Sequence, residues 1–494
     1  MKLSYHIGYV FLILLLISFS RATSGQEWTE PVNISNIGSL ISVDLNFVAD
    51  HKNVTHVVWD QRITDTYWKI IYSKSEDDAN TWSEPIELLG NTNYWMAQPH
   101  IACDSKNNIY VVYTHDYLGW TAEGRLIKMI TWNGHEWNEP IIISEGLPGS
   151  HYPKILLDKY DNLFALWGVG DDKMYYRYYK NNQWSDIFCP YCDSADWFYF
   201  SDGINIANST MHLSGSSLSY NYYGERPQYY MFDMLNNVWQ NPEMISKDTM
   251  VVDIDIVVNK SGIPETVYRK ITTNSFGISF NRTMYAKKKC VNWCIPELVS
   301  GVDVNQKYQQ IEVDQLNHVH IVEQQNLDLG QLLVHNSKQY ENWIGQVIDS
   351  SAYLVNPKLL FNNNKLYCVY SKSWEEGNQL LSDIFISKYD IITGQSQPAS
   401  ITKNIPEINV FPNPGIKNFT ITFDNGRQQH INLSVFDING KYIKTLCNKT
   451  MPPEKQKVQW NGTDKNGKEV QSGSYLVRLK MGSKTATQIV EIIK

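Results

Sequence analysis

The chain has 494 residues, and its 43 Lys and Arg against 51 Asp and Glu leave a formal net charge of −8. With no basic excess to meet a phosphate backbone, nucleic acid is not an expected partner. Aromatic residues make up 13% of the chain, with 31 Tyr and 16 Trp, which favours strands and sugar-stacking surfaces over helical bundles.

At the N-terminus, Lys2 precedes an apolar run from Ile7 to Phe19, and Ala22, Thr23, Ser24 and Gly25 lead into Gln26-Glu27. A charged start, a short apolar core and a small-residue cleavage site predict a secretory signal peptide over residues 1–25. That core is short for a bilayer, and no later stretch approaches the roughly 20 apolar residues of a membrane span. The mature chain is therefore expected to be exported and soluble, with no membrane span.

Downstream, a Trp followed three residues later by Pro recurs at Trp28–Pro31, Trp82–Pro85, Trp137–Pro140, Trp239–Pro242 and Trp293–Pro296, and Trp184 and Trp343 keep the beat without the Pro. The spacings of 54, 55, 47, 55, 54 and 50 set a period of about fifty residues. Between successive Trp residues lie two apolar segments joined by a polar turn, such as Asn46–Trp59, His100–Tyr113, Lys154–Trp167 and Ile311–Glu323. The turns Asp50-His-Lys-Asn53, Asp104-Ser-Lys-Asn107, Asp158-Lys-Tyr-Asp-Asn162 and Asp314-Gln-Leu-Asn317 have hairpin chemistry, because Asp and Asn tolerate the tight backbone and bond to it. A third strand follows each hairpin, as in Leu126–Thr131 or Met284–Lys287, and the Trp segment supplies the fourth.

Seven such units read as an all-β, seven-bladed β-propeller over residues 26–402. Trp28–Ser35 has no hairpin before it and is expected to complete the seventh blade, with Gln397–Thr402 as the alternative source of that strand. Seven cysteines allow disulfides without forming an even framework. Cys189 and Cys192, and Cys290 and Cys294, are close enough in sequence to bridge locally. The Cys189-Pro-Tyr-Cys192 tetrapeptide is similar to a glutaredoxin active site, but it follows a strand and lacks the helix N-terminus that lowers the thiol pKa, so a structural or metal-binding pair is expected.

Ser75-Glu-Asp77-Asp-Ala79-Asn-Thr81-Trp82 resembles the Asp-box of the sialidase-like (BNR-repeat) propellers, with Ala79 where that family has Gly. The resemblance implies a turn between third and fourth strands and leaves a six-bladed, sialidase-like ring as an alternative. Beyond residue 403 the pattern changes. Val410-Phe-Pro-Asn-Pro414, Leu433–Lys441, Gln459–Lys468 and Ser472–Leu479 look like the type A C-terminal sorting domain of the Bacteroidetes type IX secretion system. This implies a small Ig-like β-sandwich over 403–494, with the secretion machinery as a partner and a secreted or cell-surface product.

Propeller ligands bind where inner strands begin and second strands end. Repeat register assigns Gln98, His151, Tyr152, Trp197, Tyr199, Tyr308 and Asn356 to the first set, and Asp60, Arg62, His115, Asp116, Arg269, Glu323 and Glu375 to the second. This polar and aromatic set suits a glycan, with Arg62, Asp65, Asp116, Trp197, Tyr199, Tyr308 and Glu323 as ligand-binding candidates. Trp59-Asp-Gln-Arg62-Ile-Thr-Asp65 resembles the first-blade segment of sialidases, but Ser42-Val-Asp-Leu45 lacks the Arg that completes their clamp. A polysaccharide lyase of the ulvan-lyase kind would need a cation and a His or Tyr base, for which His115, His151, Tyr152 and Arg269 are the catalytic candidates. A non-catalytic propeller for a glycan or a cell-surface protein is the remaining reading. No cofactor is expected and no metal site is assigned.

Overall fold

The computed structural model divides into two units, Met1–Ile392 and Thr393–Lys494. It describes residues 27–391 and 408–492, apart from 37–38, 41–43, 65–66, 90–94, 118–123, 171–172, 193–196, 219–225, 274–278, 290–291, 301–304, 328–329, 340–341, 352, 378, 412–414, 416, 426–427, 438–441 and 482–483. The expected signal peptide and the segment Gln397–Thr402 lie outside the described residues.

Within the first unit, seven antiparallel sheets follow one another among the described residues. The first contains Leu45–Ala49, Thr55–Arg62, Trp68–Ser75 and Ile86–Glu87, and the second contains Trp95–Cys103, Ile109–Asp116, Arg125–Trp132 and Ile141–Ile142. The third runs from Ser150–Leu157 through Leu163–Val169 and Lys173–Lys180 to Gln183–Trp184. Sheets four to seven begin with Trp197–Ala207, Val251–Val258, Asn305–Val313 and Tyr353–Asn362. Each inner strand lies against the next, and the seventh lies against the first. This all-β arrangement is consistent with a propeller.

The seventh sheet is completed by the start of the chain. Val32 and Asn33 pair with Ile386 and Phe385, and Ser39 and Leu40 pair with Ser382 and Leu381. Asp383 holds this strap, accepting from Asn33 Nδ2 at 2.8 Å and Ser35 Oγ at 2.6 Å.

Proline shapes the outer strands. In the fourth and fifth sheets two-residue pieces flank Pro242 and Pro296, whose nitrogens have no proton to give the ladder. The sixth sheet has no Pro there, and its outer strand runs unbroken from Asn342 to Ser351.

The hairpin turns share one construction. Asp50 Oδ1 accepts the N–H groups of Lys52 and Val54, both at 2.8 Å. Asp104, Asp158, Asn259 and Asp314 each accept from the second and fourth residues beyond them in the same way. The third residue beyond has a left-handed backbone, at φ 64° for Asn53, 65° for Asn107, 61° for Asp161 and 63° for Asn317. Its side chain also reaches the preceding sheet, because Asn107, Asp161 and Asn317 accept the N–H groups of His51, Ser105 and Lys260 at 2.9–3.0 Å. One turn position therefore closes a hairpin and joins two sheets.

Between sheets, four of the outer-strand Trp residues pack on a third-strand ring of the sheet before them, while Trp184 packs on Tyr179 of its own sheet. Trp137 meets Tyr72, Trp239 meets Tyr176, Trp293 meets Tyr229 and Trp343 meets Tyr285, all edge-on with centroids 5.2–5.6 Å apart. Trp28 occupies the same niche on the sixth sheet, edge-on to His335 at 5.4 Å. The start of the chain thus repeats the contact made by every full unit that has this aromatic pair.

In the second unit, a three-stranded sheet (Ile408–Phe411, Phe419–Asp424, Lys455–Trp460) and a four-stranded sheet (Tyr442–Met451, Gln429–Asp437, Gly473–Met481, Lys484–Ile492) form separate ladders. Phe419, Ile421 and Trp460 from one and Leu433, Val435, Val477 and Leu479 from the other are fully or almost fully buried in a common core. Alternation of apolar and polar residues along these strands gives each sheet one apolar face, and the two faces share the core.

Candidate funnel at the propeller axis

Six inner strands carry a register shift near their start, at Ala97/His100, His151/Lys154, Phe200/Ile204, Val252/Asp255, Lys307/Gln310 and Val355/Lys358. Such bulges re-aim a side chain that a regular strand would bury. In five of them a non-glycine residue has a positive φ: Gln98 59°, Tyr152 50°, Asp253 49°, Tyr308 51° and Asn356 49°. Four of these five are among the inner-strand residues that the repeat register assigns to the ligand face.

Hydrogen bonds knit these residues together from sheet to sheet. Asp60, fully buried at the end of the second strand of the first sheet, accepts from Asp44 N at 3.0 Å and Gln98 N at 3.2 Å. Gln98 Oε1 accepts from Thr114 Oγ1 at 2.8 Å and Tyr152 N at 3.0 Å. On the other side of Asp44, Asn356 Nδ2 donates to its carboxylate at 3.3 Å. The first, second, third and seventh sheets are joined in this way.

Arg269 and Tyr308 lie on contacting strands of neighbouring sheets. The Arg269 Nε lies 2.8 Å from Asp253 Oδ2, and both side chains are partly exposed. The Tyr308 phenol, half-buried on the neighbouring sheet, feels both groups and Asp44: its pKa is raised, chiefly by burial, with Asp253 and Asp44 adding to the rise and Arg269 opposing it. Tyr308 is thus a proton donor at neutral pH. A cation, two carboxylates and a phenol from the first, fifth and sixth sheets share this region.

The other sequence candidates are distributed as follows. Tyr152 is 52% exposed, and its ring meets His151 edge-on at 5.1 Å. His151 Nδ1 lies 3.0 Å from Gly149 O, and its Nε2 sits over Gly168, where an added Cβ would come within 3.2 Å of it. Arg62 is half-buried at the end of its strand, and Glu375 is exposed. His115 is buried in the wall, and burial, aided by Lys128, lowers its pKa to about 4. Glu323 is fully buried and accepts from Gln306 Nε2 at 3.2 Å and Gln325 Nε2 at 2.7 Å; burial raises its pKa. Trp197 and Tyr199 open their strand, paired with Leu218 and Ser216, but their side chains lie outside the described residues, as does Asp65.

One cluster was not foreseen from the sequence. Trp95, Asp116 and Arg125 are direct cross-strand neighbours at one end of the second sheet. Asp116 is fully buried, Arg125 Nε lies 3.5 Å from it, and the guanidinium is 5.4 Å from the Trp95 ring centroid. Third-strand starts lie at the same end of an antiparallel sheet as the second-strand ends that the repeat register assigns to the ligand face.

Away from the funnel, Cys189 and Cys192 form a disulfide and Cys294 is a free thiol; Cys290 lies outside the described residues. Among the described residues no group of three or more His, Cys, Asp and Glu side chains is assembled to hold a metal, and no helix is long and apolar enough to cross a membrane.

Among solved structures, the chain is similar to a family PL25 ulvan lyase, with a TM-score of 0.51 at 8% identity over 73% of this chain and 93% of that one. It is also similar to the polysaccharide lyase Uly1, with a TM-score of 0.49 at 11% identity over 76% and 94%. The intramolecular trans-sialidase from Ruminococcus gnavus follows with a TM-score of 0.40 at 10% identity over 74% and 97%. At 8% identity the likeness to the ulvan lyase is one of fold, and the fold is a β-propeller. No curated protein matches the sequence. Residues 409–494 match the secretion system C-terminal sorting domain, so the chain ends in a member of that family and is exported through the type IX system to the cell surface or the extracellular space.

Proposed function

We propose that residues 26–402 form a seven-bladed propeller, each sheet one blade, whose axial funnel binds an acidic extracellular glycan. The observation that carries this reading is the gathering of Arg269, Asp253, Tyr308 and Asp44 from three blades, with Asp253 and Tyr308 at strained inner-strand bulges. Strain of this kind costs about 1–3 kcal/mol per residue and gathers at ligand sites. Arg269 offers a planar fork for a carboxylate or sulfate, Tyr308 and Tyr152 offer rings and hydroxyls, and Asp44 and Asn356 accept or donate to sugar hydroxyls. Arg62, Asp65, Asp116, Trp197 and Tyr199 would extend the contact surface, with Glu323 supporting its wall.

The turn at 75–82 supports the likeness to Asp-box propellers. Asp77 Oδ1 accepts from Ser75 Oγ at 2.9 Å and Thr81 N at 2.8 Å, and Ala79, at φ 58°, donates its N–H to Ser75 Oγ at 2.9 Å. In this reading the tail is a type A, Ig-like domain that hands the chain to the secretion machinery.

A second reading is favoured by the protonated Tyr308 beside Arg269. In β-elimination from a uronate, Arg269 would offset the carboxylate charge and Tyr308 would return a proton to the leaving oxygen, with His151 or Tyr152 as the base. A glycan-array screen of the purified propeller, with ultraviolet detection of unsaturated sugar ends in parallel, tests both. Retention of acidic glycans supports the first reading, and new unsaturated ends support the second. Retention of neutral glycans or a cell-surface protein alone would count against both.

A further inference from the structure

Where the chain start closes the last sheet, a line of polar contacts links it to a pair of buried histidines. Trp28 Nε1 donates to His335 Nδ1 at 3.2 Å, His335 Nε2 lies 3.0 Å from His320 Nδ1, and His320 Nε2 lies 3.6 Å from Asp314 Oδ2. The two imidazoles stack with centroids 5.2 Å apart. His335 is 1% exposed and His320 4%.

Donor counting fixes every proton in this line. An indole N–H can only donate, so His335 Nδ1 must carry a lone pair and His335 Nε2 the proton. His320 Nδ1 must then accept, which puts its own proton on Nε2, facing Asp314. One extra proton anywhere in the pair destroys this order. Placed on His335 Nδ1, it faces the indole N–H directly. Placed on His320 Nδ1, it faces the N–H of His335, and relief comes only when His335 shifts its proton to Nδ1, again against Trp28.

Equivalent junctions elsewhere lack this property. By ladder register, His56 and Tyr72 in the first sheet, and His212 and Tyr229 in the fourth, stand where His320 and His335 stand in the sixth. There the His Nδ1 meets a tyrosine hydroxyl at 2.7 and 2.6 Å. A hydroxyl donates or accepts, so protonation of the imidazole reverses that bond without breaking it.

We propose that the His320–His335 pair is an acid-sensitive latch that releases Trp28, and with it the N-terminal strap that closes the propeller. The surroundings leave the pair no other relief. Asp314, 2.9 Å from His318 Nδ1, is pushed up by burial but held at about 2 by its hydrogen bonds, so it stays charged; facing His320 Nε2, it offsets charge on that ring but does nothing for the opposed N–H groups at His335. Glu312, opposite His320 across the ladder, is pushed up to about 8 by burial and is neutral in acid, offering no countercharge. Tyr389, ring to ring with both Trp28 and His335, and Cys368 and Tyr370 in the facing core are all held protonated by burial. Burial, and then His320, keep His335 well below its ordinary pKa while the strap is docked. Because the docked state refuses the proton, undocking becomes easier as pH falls below about 6.5, by up to tenfold per pH unit for one proton.

The test is hydrogen exchange of peptides covering 27–36 on the full chain, read against those covering 137–143, the corresponding outer strand of the second sheet. Taking the ratio within one sample removes the intrinsic pH dependence of exchange. The ratio is expected to climb up to tenfold per pH unit below about pH 6.5 and to stay flat in His335→Tyr, which restores the His–Tyr pair of the first and fourth sheets. Trp28→Phe, which keeps a ring but removes the indole N–H, should also be flat and serves if His335→Tyr does not fold. A pH-independent ratio in the parent, or an undiminished response in the variants, overturns the latch.

Discussion

Asp104→Ala should destabilise the first unit far more than Asp104→Asn. Asp104 is 4% exposed, and its carboxylate accepts from Lys106 N at 2.9 Å, Asn108 N at 2.8 Å, Asn108 Nδ2 at 2.7 Å and Tyr110 OH at 3.1 Å. Alanine strands two backbone N–H groups inside a tight turn and frees two side chains. At about 1–2 kcal/mol for each stranded N–H, with some rehydration of the rest, the cost is roughly 3 kcal/mol. An unfolding entropy near 2.1 cal/mol/K per residue gives roughly 0.8 kcal/mol/K for residues 27–391, so Tm should fall by about 4 °C. Asparagine keeps the two backbone bonds, as Asn259 Oδ1 does in the fifth sheet with Ser261 N at 2.9 Å and Ile263 N at 3.1 Å; its cost should stay under about 1 kcal/mol. Differential scanning calorimetry of both variants decides the matter. Equal losses would mean that charge, not turn bonding, gives Asp104 its weight.

Stability should also depend on acid in a defined direction. His56, His115 and His212 are each lowered to about 4, first by burial, so the unfolded chain takes up their protons first and stability is lost as pH falls from about 6.5 toward 4. Three such groups give a slope of up to about 4 kcal/mol per pH unit. Thermal unfolding across this range should be visibly flatter for His212→Gln, and an unchanged slope would count against the assignment. Deleting residues 405–494 should leave the first unit folded by circular dichroism, since the second has its own core, while abolishing appearance outside the cell. Efficient export of the truncated chain would contradict the role of the tail. Arg177→Ala should cost stability rather than binding, because Arg177 bonds Ile143 O at 3.2 Å and Ser185 O at 2.7 Å and lies over Trp184; a loss of glycan retention without a change in Tm would refute that.

Much of the strand order was legible because two features repeat with the fold. The outer Trp residues mark inter-sheet niches, and the Asp-x-x-Asn turns mark hairpins, so spacing alone gave their places. The positive-φ bulges were less legible: Gln98, Tyr152, Asp253, Tyr308 and Asn356 share a backbone shape but no composition. Bulges also decide which side chain faces the axis, since a one-residue step turns a strand over. His115 and Asp116 are consecutive, and no pattern in the sequence tells which one meets a ligand. The bonds from Asn107, Asp161 and Asn317 to the preceding sheet were hidden for a different reason, because residues about 56 apart show their pairing only once the sheets are side by side.

The reading of the funnel stands or falls on charge recognition at Arg269. Truncating an Arg that pairs with a desolvated anion leaves that charge uncompensated and costs several kcal/mol. The decisive measurement is the affinity of the purified propeller for an acidic oligosaccharide retained in the array screen, compared among the parent, Arg269→Ala and Arg177→Ala. Arg269→Ala should weaken binding on the order of a hundredfold or more, a loss of about 3 kcal/mol, while Arg177→Ala should stay close to the parent. Equal small losses in both variants, or no charged glycan bound by the parent, would contradict it.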